Sequence, residues 1–177
     1  GGQPDAKSVP LLVPSAALRR RLPSALNVRA SMSQLSMTID LDDDGTAGLA
    51  AHFVSQRFSG FGEGWFNLSD ITEFCRSFEK LANSVEGETE LVAGQSEIDG
   101  SEYSECLGLR CYVVSESGIL GVHVTLSEYP YTDCRLQEIS KVSGELKVEI
   151  QSALSFIQGL RSLCSGSVTE AILVGRR

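Results

Sequence analysis

The chain has 177 residues, 42% hydrophobic and 21% charged, which suits one soluble-type domain and excludes a disordered or membrane-embedded chain. Its apolar runs are only a few residues long, far short of the roughly 20 that span a bilayer. The net charge is −8 and is unevenly spread. Residues 1–31 hold Lys7, Arg19, Arg20, Arg21 and Arg29 against Asp5 (+4), leaving 10 basic and 22 acidic residues (−12) in the remainder. An acidic globule repels phosphate backbones, so nucleic acid is a poor partner, whereas a basic protein is steered toward it.

Residues 1–36 read as a basic, proline-containing arm, with four of the five prolines and no sustained periodicity. Arg-rich and acid-poor, the arm has the composition of an organellar transit segment. A gene start placed too early, with Met32 or Met37 as initiator, is the simpler reading. Residues 37–177 read as a single α+β domain.

SMTIDL (36–41) reads as a strand, and Asp42-Asp43-Asp44-Gly45 as a hairpin turn, because glycine accepts positive φ. A long strand follows over 47–58, with Leu49, Ala51 and Phe53 on one face and His52, Val54 and Phe58 on the other. GFGEGWF (60–66) reads as a break, a bulge or sharp turn, since three glycines interrupt the pattern. Trp65, the sole tryptophan, is then either a lid on the core or an exposed binding anchor.

The clearest helix is 67–85. Ile71, Phe74, Cys75, Phe78, Leu81, Ala82 and Val85 recur at three- and four-residue spacing. Ser69 suits its N-cap and Gly87 its stop. Alternation at Thr89, Leu91 and Ala93 predicts a half-buried strand with Glu88 and Glu90 outward. The acidic loop 96–102 follows, then strands over 107–113 and 120–126 around a turn at 115–118. One more strand is expected within 131–142 and a second helix over 145–163. The apolar run 171–174 either adds a strand or packs on a neighbour. The predicted order is β-β-α-β-β-β-β-α: an antiparallel sheet of about six strands with two helices on one face.

Five cysteines without a CxxC pair argue for a reducing, cytoplasmic setting rather than a disulfide framework. Cys106, Cys111, His123 and Cys134 match no compact zinc spacing, so no metal is assigned. No cofactor is assigned either: the Walker lysine is missing, and Trp65 and Phe66 separate the glycines from the helix. No G-x-S-x-G elbow is present, and His52 and His123 lie mid-strand without an identifiable catalytic set. No catalytic residue is named. The partner-binding candidates are Glu88, Glu90, Glu97, Asp99, Glu102, Glu105 and Trp65, with a solvated acidic face as the plainer alternative.

Gly60-Phe61 with Gly62 and Gly64, Phe74 with Phe78 and Leu81, the strand Gly87 to Leu91, the pair of strands from Leu107 to Leu126, and the leucines from Leu146 to Leu163 together resemble small bacterial immunity proteins of the WapI-type group. The resemblance covers about residues 37–164 and rests on core positions. The Arg-rich arm and the tail after Leu163 depart from it. It implies a non-enzymatic cytoplasmic protein that neutralises a basic toxin through its acidic face. Two other readings stay open: a hydrolase-like enzyme using carboxylates or a Cys/His pair, and a homo-oligomeric structural module joined through sheet edges or the tail strand.

Overall fold

Period-two alternation of apolar residues builds most of the molecule. A computed structural model describes residues 33–96, 103–130 and 135–176. Strands β1 (Gln34–Leu41), β2 (Thr46–Ser55) and β3 (Phe58–Asn67) precede helix α1 (Leu68–Ser84). Strands β4 (Glu88–Ser96), β5 (Tyr103–Ser115), β6 (Ile119–Ser127) and β7 (Lys141–Glu149) lead into α2 (Ile150–Cys164) and β8 (Ala171–Val174). The α+β class is as expected. The single six-strand sheet is not: the strands form two antiparallel four-stranded sheets, β3-β2-β1-β8 (sheet A) and β4-β5-β6-β7 (sheet B).

The two sheets turn their apolar faces toward each other. Leu35, Met37, Leu49, Ala51 and Phe53 of sheet A are buried, as are Leu107, Leu109, Val122, Val124, Leu126, Leu146 and Val148 of sheet B. The helices complete the same core, α1 packing on β4 and on α2, and α2 on β8 and β1. Arg161 of α2 spans to Glu79 of α1 at 2.6 Å and lowers the affinity of that carboxyl for its proton. Past β8, Gly175 N–H donates to Ser33 carbonyl and Arg176 N–H to Lys147 carbonyl, tying the tail to both sheets.

The largest departure from the sequence reading is the glycine stretch. Residues 58–67 form a full strand paired along its length with β2, not a break. The hairpin before it turns at Gln56-Arg57, where Gln56 carries a φ of 52° without the usual turn residues. Gly60, Gly62 and Gly64 all point inward, and no side chain fits there. A Cβ would stand 2.1 Å from Val142 at Gly60, 2.7 Å from the Cys106 carbonyl at Gly62, and 2.5 Å from Ala93 at Gly64. Val142, Leu126, Leu107 and Ala93 are successive partners across sheet B. The glycines follow that row in order, so β3 runs across the strands of sheet B in an orthogonal packing. Glycine within a strand marks the close approach of a second backbone.

Three further boundaries move. Residues 141–149 form β7, so helix α2 starts at Ile150 rather than at 145; Leu146 and Val148 are strand residues on the inner face. The strand expected within 131–142 lies later in the chain: 131–134 fall outside the described residues, and 136–138 make a short 3-10 turn. Asn67 rather than Ser69 holds the N-cap position of helix α1, its side chain donating to Asp70 instead of accepting from the helix backbone, and the helix ends on Val85 in the left-handed region, with Gly87 at a φ of 87° two residues on. The apolar run 171–174 does add a strand, antiparallel to β1. The Asp42–Gly45 hairpin turn is present, with Gly45 at a φ of 86° and Asp44 accepting from the Thr46 amide and hydroxyl.

Candidate functional site

Because helices and core occupy the inner faces, the two outer sheet faces carry the exposed chemistry. On sheet B, cross-strand register sets Glu90, Arg110, His123 and Glu145 in one row and Glu88, Tyr112, Gly121 and Lys147 in the next. Arg110 is the hub. It donates from both terminal nitrogens to Glu105 at 3.0 and 2.6 Å, and its Nε lies 3.2 Å from Glu90. Glu105 reaches back over Gly108, where a Cβ would sit 1.8 Å from its carboxylate. The guanidinium holds the Glu105 carboxyl below the usual carboxylate range.

Gly121 works in the same way beneath Tyr112. The ring lies over it, so that the phenol of β5 crosses β6 and donates to Glu145 of β7. That carboxylate, aided by desolvation, pushes the phenol up to about 12. Beside it His123 Nε2 and Ser143 Oγ are 2.8 Å apart. An open hollow of about 370 Å³ lies along β4, lined by Glu88, Thr89, Glu90, Arg110, Cys111 and Tyr112. A second groove, about 360 Å³, separates β4 from α1 and is edged by Asp70, Glu73 and Glu90 over Phe74 and Leu91. Strand β4 pairs only with β5, so its far edge has no strand partner among the described residues.

The predicted binding residues are therefore divided. Glu88 and Glu90 share the exposed face of β4; Glu105 is on the same side of sheet B but locked onto Arg110. Trp65 lies on the outer face of the other sheet, facing away from them. Glu97, Asp99 and Glu102 lie outside the described residues. Cys111 is buried on the inner face of sheet B while His123 occupies the outer face, so these two do not meet; Cys134 lies outside the described residues. Burial pushes the Cys75 thiol up to about 11 and the Cys111 thiol higher still, which keeps both protonated and unreactive at neutral pH. Among the described residues no group of three or more His, Cys, Asp or Glu is placed to hold a metal ion. Among the described residues no helix is long and apolar enough to cross a membrane.

The His123–Ser143 pair escaped the sequence reading, because it joins two strands whose register cannot be read from one chain segment. Comparison with protein-family models, curated proteins and solved structures returned no match.

Proposed function

We propose that the chain is a non-enzymatic cytoplasmic binding protein of immunity type, which engages a basic protein through the acidic edge of sheet B. The observation that carries this reading is the placement of Glu88 and Glu90, both exposed on a strand whose far edge has no strand partner among the described residues, next to a groove edged by Asp70 and Glu73. An edge strand offers backbone donors and acceptors to an extended segment, and carboxylates beside it select a basic one. Arg110 offsets part of this charge, but two of its contacts are spent on Glu105. The resemblance to WapI-type immunity proteins points the same way.

The test is a pull-down from source-cell lysate along a salt gradient, with the full chain as bait. One basic protein should be retained and lost as salt rises. Bait carrying Glu88→Gln and Glu90→Gln should release it at lower salt. Unchanged retention by that bait would reject the β4 surface, and recovery of no basic protein would reject the reading.

A second reading, acyl transfer by a serine nucleophile, is favoured by the hydrogen bond between His123 and Ser143. Covalent labelling of Ser143 by a fluorophosphonate, lost in His123→Ala, would replace the binding reading with it.

A further inference from the structure

The outer face of sheet A is the least ordinary surface of the molecule. Trp65 and Phe61 are 57% and 59% exposed on the outward face of β3, with Glu63 between them; Ile172 of β8 is also outward, at the far edge of the sheet beyond His52 and Ser36. Exposed aromatic side chains on a sheet face that no helix covers among the described residues mark a contact surface. The indole of Trp65 is not loose: it lies across β2 with its ring over Gly48, where a Cβ would sit 3.4 Å from it. Register then puts Asp40 of β1 on the far side of Gly48, and Glu63 two residues before Trp65 on the same face. A hollow of about 170 Å³ runs between them, floored by Gly48 and Ala50.

The charges on this face have one sign. Its outward positions on the four strands include Asp40 and Glu63, one histidine, His52, and no lysine or arginine. Neither carboxylate has a hydrogen bond or ion pair among the described residues. The neighbouring hairpin adds Asp42, Asp43 and Asp44. An aromatic face flanked by unpaired carboxylates is complementary to a cation on an apolar stem: the π-cloud attracts the charge and the carboxylates accept its N–H groups.

We propose that the outer face of sheet A docks a basic segment of a partner protein, with a lysine or arginine side chain held over the indole of Trp65 between Asp40 and Glu63. This surface is distinct from the β4 edge, since the two sheets face opposite ways. Both surfaces select basic segments, but this one holds a cationic side chain over an aromatic ring, whereas the β4 edge pairs with an extended backbone.

Trp65 is the only tryptophan, so its emission reports directly on the site. The full chain is titrated with fluorescein-labelled decalysine at about 0.15 M salt, where long-range attraction is screened, with decaglutamate as control. Unlabelled decalysine should shift Trp65 emission. In anisotropy, Trp65→Ala should weaken binding about tenfold and Trp65→Phe less than about threefold. Read through Trp65 emission, which is blind to the β4 edge, Asp40→Asn with Glu63→Gln should weaken binding about tenfold, and Glu88→Gln with Glu90→Gln less than about twofold. No binding, equal binding by Trp65→Ala with an unchanged melting curve, or loss only in the Glu88/Glu90 variant would overturn the proposal. Reversing the charge of Arg19, Arg20 and Arg21 tests the chain's own basic arm: tighter decalysine binding by that variant would assign the face to the arm and overturn the partner assignment. An emission shift with protein concentration alone would assign it to a second copy, with the same consequence.

Discussion

Gly64 of β3 faces Ala93 of β4 across the interior, and a Cβ on Gly64 would stand 2.5 Å from the Ala93 methyl carbon. The two positions are thus sterically coupled. Gly64→Ala should destabilise the fold by about 1–3 kcal/mol through overpacking, measured as a lower urea midpoint at unchanged slope. Ala93→Gly in the same chain should restore a substantial part of that loss, because it removes the atom that clashes. Additive losses in the double variant would show that the sheets are not in contact at this pair.

This seam also shows where sequence reading stops. Three glycines at alternate positions look like a break, because strand propensity is carried by side chains and glycine has none. Their reason lies on a different sheet, in the row Val142, Leu126, Leu107 and Ala93, which only tertiary structure brings beneath them. Helix α1 was legible because its own spacing carries the signal: Ile71, Phe74, Phe78 and Leu81 are all buried. The start of α2 was not, since Leu146, Ile150 and Leu154 fit a four-residue period while Val142, Leu146 and Val148 fit a two-residue one. Of the site, the outward acids on β4 were legible by alternation. The glycine platforms beneath Trp65, Glu105 and Tyr112 were not, because each pairs residues through register or a fold-back along the strand.

Phe78 sits in α1 with 0% exposure, against Phe74 at a centroid distance of 5.7 Å. Phe78→Ala should cost about 3–5 kcal/mol, the transfer term plus the cavity left behind. The check is equilibrium denaturation, where a cost under about 1 kcal/mol would mean that the helix does not seal the core.

Glu105 and Arg110 make stability depend on acid. The Glu105 carboxyl is held below its ordinary value of 4.5, chiefly by the hydrogen bonds from Arg110. A lowered value means that the contribution is full above the unfolded carboxyl's range and is lost as pH falls through the folded one. Glu105→Gln should therefore cost about 1 kcal/mol at neutral pH, a modest figure because Arg110 remains partly in solvent. The gap between variant and parent should close as the pH falls below the ordinary carboxyl value of 4.5. A gap independent of pH would mean that the pair contributes by packing alone.

Tyr112 gives the opposite sign at the other end of the scale. Its phenol is pushed up to about 12, first because Glu145 accepts its hydrogen and then because burial disfavours the phenolate. A raised phenol contributes stability that is complete below the unfolded value near 10 and is lost as pH rises toward 12. Ultraviolet titration of the native chain should show one tyrosine ionising well after an ordinary one. Glu145→Gln removes the carboxylate and keeps the shape, so that late step should move toward 10. Because Tyr112 reaches Glu145 only by lying over Gly121, Gly121→Ala should have the same effect on the titration by lifting the ring, while Glu145 itself is untouched. A late step that survives both substitutions would show that burial, rather than this cross-strand hydrogen bond, governs the phenol.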